Sequence, residues 1–362
     1  MGEAPTPVVP RRVLVAGATG TIGRATVRAL AARGHAVTCL VRPGRAGDAH
    51  AGAWPAGVAV RAADLADPAS VARDAFGAPG ESPNDPPNGT SRTGPFDAVV
   101  SCLASRTGAP ADAWAVDYRA HVHLLDAARA AGVGHVVLLS ALCVQKPRLA
   151  FQHAKLAFER RLAESGVRHS VVRPTAFFKS LSGQVARVRD GRPFLVFGDG
   201  TGTACKPIAD EDLAEYLAGC LDDPARWDRV LPVGGPGPAI TPRAQGELLF
   251  ALLGRPARIR SVPPGLLGGA AAALGALARV APGALGDRLA DRAELARIGA
   301  YYATESMLVW DAASGRYDAD ATPEFGRRTL ADHYRRLLAG DAGAGLGAHA
   351  VFGRGRPKHG GR

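Results

Sequence analysis

Gly17, Gly20 and Gly23 stand three residues apart, directly after the apolar run Val13–Ala18 and directly before a helical pattern from Thr21 to Arg33. Glycines at this spacing allow a tight turn, a close backbone approach to a ligand and close helix–strand packing. The helix that follows points its positive end at the same place, which suits a phosphate. The run Gly17-Ala-Thr19-Gly20-Thr21-Ile22-Gly23 is therefore read as a pyrophosphate cradle, with each named residue a candidate contact. A glycine turn that binds nothing is the bland alternative. The strand before it and the helix after it argue for the cradle.

The end of the second apolar strand, Ala36–Val41, selects the dinucleotide. Folds that bind NAD place an acid there for the ribose 2′-OH. This chain reads Thr38-Cys-Leu-Val-Arg42-Pro43, with no acid before Asp48. Arg42 is placed to meet a 2′-phosphate, with Arg24 as a second partner, since a guanidinium matches phosphate geometry. The expected cofactor is NADPH. Asp64 and Leu65, after a third strand at Val58–Ala62, are candidate adenine contacts, although Asp64 also reads as a helix cap.

Ser140 closes the strand His135–Ser140, and Lys155 lies on the helix Gln152–Glu164 that follows. Short-chain dehydrogenases use a serine here with Tyr-x-x-x-Lys. The tyrosine gives a proton, and the lysine lowers its pKa and holds the nicotinamide ribose. Lys155 is present, but the tyrosine position holds Phe151, which has no proton to give. That disfavours ketone–alcohol chemistry. It leaves room for hydride delivery to a conjugated carbon, whose proton arrives separately.

Strands at Val13–Ala18, Ala36–Val41, Val58–Ala62, Phe96–Cys102, His135–Ser140 and His169–Arg173 alternate with helices at Thr21–Arg33, Ala115–Ala131 and Gln152–Glu164. This alternation predicts an α/β chain with a Rossmann-type doubly wound parallel sheet and a smaller, irregular C-terminal substrate-covering region. The expected domains are a dinucleotide-binding domain over 10–175 and a substrate region over 176–338, with a helix returning to the sheet near 210–221. A disordered tail is expected over 339–362. The Pro/Gly/Asn/Ser-rich stretch 78–94 reads as a mobile surface loop. Gly265–Val280 is almost entirely Ala, Leu and Gly but falls short of the ~20 apolar residues a spanning helix needs. It reads as a buried or interfacial helix.

The formal charge is +11, yet only five of the 44 basic residues are lysines and no nucleic-acid motif is present. No nucleic-acid partner is expected. A solvated basic surface is the simple reading, and attraction to an anionic membrane surface the sharper one. Five scattered cysteines without a CxxC pair predict neither a zinc site nor a disulfide framework. With no apolar h-region in residues 1–10, the expected location is cytoplasmic, with peripheral membrane contact as an addition.

Beyond these elements lie three unusual stretches: Ser180-Leu-Ser-Gly-Gln-Val185, Phe197-Gly-Asp-Gly-Thr-Gly-Thr-Ala-Cys-Lys-Pro-Ile-Ala-Asp-Glu-Asp212 and Leu231-Pro-Val-Gly-Gly-Pro-Gly-Pro-Ala-Ile-Thr-Pro-Arg-Ala-Gln-Gly246. With the glycine turn and the Phe151/Lys155 helix, they make the chain resemble the divinyl chlorophyllide a 8-vinyl-reductase family of atypical short-chain dehydrogenases, over roughly residues 10–335. The resemblance implies NADPH-dependent reduction of a vinyl group on divinyl chlorophyllide or protochlorophyllide a to ethyl, in chlorophyll or bacteriochlorophyll biosynthesis. A flat pigment needs an apolar pocket, for which Phe151, Phe177 and Phe178 are candidates, with Phe194, Phe197 and the Gly265–Val280 helix as further ones, although ordinary core packing is the simpler reading for Phe177, Phe178, Phe194 and Phe197. His121, His123 and His153 could ligate the pigment magnesium, although an ordinary core or surface role is simpler for each, and no protein-bound metal is expected. The rival reading is a non-catalytic redox sensor or complex subunit that binds NADP(H) on the same fold.

Overall fold

A computed structural model describes residues 9–44, 54–77, 96–263 and 265–340. The expected loop over 78–94 and almost all of the expected tail lie outside these residues. The chain divides into two compact units, Met1–Pro174 with Asp210–Val233, and Thr175–Ala209 with Gly234–Arg362.

The first unit is built on seven parallel strands: β1 (Arg12–Ala16), β2 (Ala36–Val41), β3 (Ala59–Ala62), β4 (Ala98–Ser101), β5 (His135–Leu139), β6 (Arg168–Pro174) and β8 (Arg229–Val233). Their order is β3-β2-β1-β4-β5-β6-β8. β1 pairs with β2 and β4 in register, Val13 opposite both Val37 and Ala98. The order reverses between β1 and β4, so a crevice opens at the carboxyl ends of these two strands. Val13 to Ala16 and Ala98 to Val100 are wholly buried, as strands covered on both faces must be. Helices α1 (Thr21–Ala32), α2 (His121–Ala130), α3 (Ala150–Ala163) and α4 (Asp210–Gly219) cover the sheet.

One expectation is corrected. Residues 230–233 read as a short strand of the irregular C-terminal region, but that strand joins the parallel sheet as its seventh, with Val171 opposite Val230. Arg229 and Val230 are exposed while Val233 is buried, and Pro232 cannot donate to a ladder on both sides, as suits an edge strand and not a central one.

The second unit holds the parallel pair β7 (Phe194–Phe197) and β9 (Ile259–Val262), the ribbon β10 (Val309–Asp311) and β11 (Arg316–Asp318), and helices α5 (Pro242–Leu252), α6 (Gly265–Val280), α7 (Gly283–Thr304) and α8 (Leu330–Leu338). Its core gathers Phe178, Val188, Phe194, Leu249, Phe250 and Tyr334. α6 and α7 form an antiparallel hairpin in which Gly275 admits Ala293 and Arg297. No described helix is long and apolar enough to cross a membrane.

Candidate functional site

The glycine turn is held by its own sterics. Gly17 has φ = 75°, and a Cβ there would meet the backbone of Cys102 and Leu103, just past β4, at 2.7–2.8 Å. A Cβ on Gly23 would lie 2.1 Å from the Gly17 carbonyl oxygen. Only glycine fits either position, because backbone has no room to retreat. The Gly20 amide donates to the Gly17 carbonyl at 3.0 Å, and Gly20 is the N-cap of α1. No side chain caps this helix and its first turn carries no acid. An N-terminus without a side-chain cap or an acid suits an anion, and Thr19, Gly20 and Thr21 are exposed there while Ile22 packs inward. These features fit a pyrophosphate.

Arg24 is tied to this turn. Its Nε donates to the Thr19 carbonyl at 3.2 Å and its guanidinium stacks over Trp54 at 5.3 Å. The Trp54 indole N–H is buried with no hydrogen-bond partner. Arg42 follows β2 and is exposed. Trp54 gave no signal in the sequence, because a lone tryptophan before a glycine-rich bend belongs to no pattern. Asp64 accepts from the Ala66 amide at 2.9 Å and closes a turn, and half-buried Leu65 offers its carbonyl to His123 Nδ1.

The side chains on α3 form a second arrangement. Gln152 starts the helix by accepting from the Arg148 and Leu149 amides at 2.7 and 2.9 Å and donating to the Cys143 carbonyl at 3.0 Å. Lys155, Phe158, Glu159 and Leu162 then share the buried face at i, i+3, i+4 and i+7. Lys155 Nζ lies 3.0 Å from Asp117 Oδ1. The Asp117 carboxylate is wholly enclosed. It accepts from the Ser105 amide at 3.3 Å, and its Oδ2 has no partner. Asp117 sits in a π-helical stretch, Trp114–Ala120, which widens the helix ahead of α2 and re-aims its side chains. Asp117 was not legible in the sequence, since no motif links it to a lysine 38 residues on.

Ser140 directly follows β5, and its hydroxyl donates to Glu159, which also forms a bidentate ion pair with Arg173. The serine proton is thus engaged one helical turn beyond Lys155. Phe151 is half-buried on the first turn of α3. Phe177 is half-buried, whereas Phe178 belongs to the core of the second unit, against the His333 ring. Phe194 is core as well.

The histidines do not gather a metal site, and no cluster of three or more His, Cys, Asp or Glu occurs among the described residues. His121 uses both ring nitrogens, toward Ser101 Oγ and the Val116 carbonyl at 2.9 Å each. Burial, with the nearby Lys155 charge, pushes its pKa down to about 4, so the ring is neutral. His153 is exposed. Burial pushes the thiols of Cys39, Cys102 and Cys205 up to about 12, which leaves them poor nucleophiles.

The three unusual distal stretches are structural clamps. Ser182 bonds the Phe178 carbonyl and His333, and Gln184 pairs with both backbone groups of Leu195. Cys205 and Ile240 exchange backbone hydrogen bonds, and a Cβ on Gly235 would strike the Pro207 carbonyl oxygen at 1.9 Å. Buried Lys206 donates to Glu324 at 2.7 Å and to the Thr322 carbonyl.

Comparison with known proteins adds three findings. A family model described as the NmrA-like family matches residues 10–271. The chain is 47% identical to divinyl chlorophyllide a 8-vinyl-reductase, chloroplastic, of Oryza sativa subsp. indica, across 94% of this chain and 82% of that protein. It is 46% identical to the protein of the same name from Zea mays, across 96% and 84%. Among solved structures, an NADPH-dependent quinone oxidoreductase of Escherichia coli in complex with NADPH superposes with a TM-score of 0.58 at 19% identity, covering 90% of this chain and 99% of that one. That likeness is one of fold.

Proposed function

This chain belongs to the divinyl chlorophyllide a 8-vinyl-reductase family, within the NmrA-like family, and on that premise we propose that it is an oxidoreductase reducing the 8-vinyl group of a divinyl chlorophyllide a or its protochlorophyllide to ethyl with NADPH. The observation that carries the reading is identity near one half across nearly the whole chain.

When bound, NADPH supplies a hydride. The chain's own residues hold it. The first-turn amides of α1 and the Gly17–Gly23 backbone receive the pyrophosphate, and Arg42 and Arg24 take the 2′-phosphate in place of an acid that would bind a bare ribose. Asp64 and Leu65 border the adenine. Lys155, fixed by Asp117, holds the nicotinamide ribose and a proton. Ser140 acts through Glu159 to hold the sheet end in shape, because its hydroxyl is already engaged. Phe151 and Phe177 offer apolar surface to a flat pigment.

The missing tyrosine fits this chemistry. A vinyl carbon conjugated with a macrocycle accepts hydride at its terminal position, the ring delocalises the resulting negative charge, and a proton from solvent or a neighbouring group then adds to the inner carbon to complete the ethyl. No acid is then needed at a carbonyl oxygen, so Phe151 costs the reaction nothing. The test is turnover with 4-deuterated NADPH and divinyl chlorophyllide, followed by absorbance and mass spectrometry. One deuterium on the terminal carbon of the new ethyl group is expected. No mass gain from protein that binds NADPH would overturn the reading and favour a non-catalytic redox sensor.

A further inference from the structure

Helix α6 carries two apolar stripes. Leu267, Ala271, Leu274 and Ala278 are half-buried or buried along one side, and Gly275 on that flank packs against Ala293 of α7. Leu266, Ala270, Ala273, Leu277 and Val280 recur at the same three- and four-residue spacing on another side, and every one is exposed. Leu266 is 61% exposed, Leu277 55% and Val280 79%. Among the described residues eight large hydrophobic side chains are exposed, and six of them lie on the α6–α7 hairpin: these three with Leu285, Leu295 and Tyr302. From Gly265 to Ala278 no residue is ionisable. Single exposed leucines need no explanation, but a continuous stripe on a helix whose opposite side is already packed does.

The charge beside the hairpin points to its partner. Only Pro263 and Pro264 separate β9 from α6. Around β9 the second unit gathers Arg187, Arg189, Arg192, Arg255, Arg258 and Arg260, with Asp190 as the acid among them. They are close in space. Arg255 donates to the Arg189 carbonyl at 3.2 Å, Arg258 to the Gly191 carbonyl at 3.0 Å, and Arg260 lies opposite Leu195 in the β7–β9 pair. Arg189, Arg192, Arg255, Arg258 and Arg260 are exposed. An uncharged apolar stripe rooted in an arginine cluster matches the acyl boundary and headgroups of an anionic lipid surface.

We infer that the α6–α7 hairpin docks the protein on an anionic membrane, with Leu266, Leu277 and Val280 seated in the interface and the β9 arginines on the lipid phosphates. At 16 residues α6 lies on the surface and does not span it. The inference stands apart from the reductase reading, because it needs neither pigment nor turnover. The test is co-sedimentation of the full chain with vesicles of phosphatidylcholine alone or with phosphatidylglycerol. Wild type is expected to pellet only with the anionic vesicles and to be released by high salt. The triple variant Leu266→Gln, Leu277→Gln, Val280→Gln and the double variant Arg192→Glu, Arg260→Glu should each lose at least tenfold in partitioning, with circular dichroism and NADPH affinity unchanged. Hydrogen exchange on the wild type provides a readout without variants, and added anionic vesicles should protect the amides of 265–285. The inference is overturned by wild type that does not pellet, by equal binding to neutral vesicles, or by a triple variant that binds as well as wild type. It is also overturned if the stripe proves to join two copies of the chain, seen as a wild-type dimer that the triple variant abolishes while vesicle binding persists.

Discussion

The glycine turn after β1 and the buried face of α3 sit on the same sheet and are made of opposite materials. The turn is backbone: a Cβ on Gly17 or Gly23 would fall within 2–3 Å of neighbouring backbone, and α1 begins with no side-chain cap. The α3 face is charge in a dry interior: Lys155 against Asp117, and Glu159 against Arg173 with Ser140. A backbone site is written into consecutive residues and tolerates only the absence of side chains. A buried ionic site depends on partners brought from elsewhere in the chain, and removing one of them strands the other.

The sharpest way to break the comparison is Asp117→Ala. It leaves the Lys155 ammonium buried without its carboxylate and should cost about 3–5 kcal/mol in urea unfolding. Asp117→Asn keeps the shape and should lose less stability than the alanine variant, while turnover falls in both. An alanine variant as stable as wild type would show that Lys155 reaches water and that the pair is not a buried one.

A smaller effect is expected at the nucleotide end. Arg42→Ala should weaken NADPH binding roughly ten- to a hundredfold, about 1.5–3 kcal/mol, and leave NADH binding unchanged. Equal affinity of the wild type for both cofactors would remove the 2′-phosphate role.

The pH dependence reports on the dry interior. Burial depresses His121 and His135 to about 4, below the ~6.5 of an unfolded histidine. Between these values the unfolded chain binds more protons, so stability is full above about pH 6.5 and falls as pH drops toward 4. Each histidine contributes a slope of up to roughly 1.4 kcal/mol per pH unit in that window. Melting temperatures across pH 4.5–7 should therefore fall less steeply in His121→Phe than in wild type. The smallest effect is expected from Phe151→Tyr, with turnover within about twofold of wild type, because the proposed chemistry has no carbonyl oxygen to protonate. A large gain in rate would mean that an acid at this position matters.

Much of the first unit was legible because its signals are local. β2, from Ala36 to Val41, and α1, from Thr21 to Ala32, lie where periodicity placed them, and in the second unit so does α6, from Gly265 to Val280. The long helix α7 was missed, and the edge strand β8 was read as a short strand but not as part of the main sheet. The helix mixes charged and small residues without a dominant face, and nothing local in the short run Val230–Val233 says which sheet it joins.

The amino-acid order by itself determined the glycine turn, the missing acid after β2, the phenylalanine in place of a tyrosine and the alternation that makes a doubly wound sheet. Each is carried by residues within one or two elements. Tertiary structure alone decided that Lys155 faces Asp117, that Ser140 is held by Glu159, that Phe178 is core, and that one stripe of α6 is packed while the other is bare. Those outcomes depend on which distant side chains fold into the same dry space, where an unpaired charge is costly and an apolar face is stable only if something covers it.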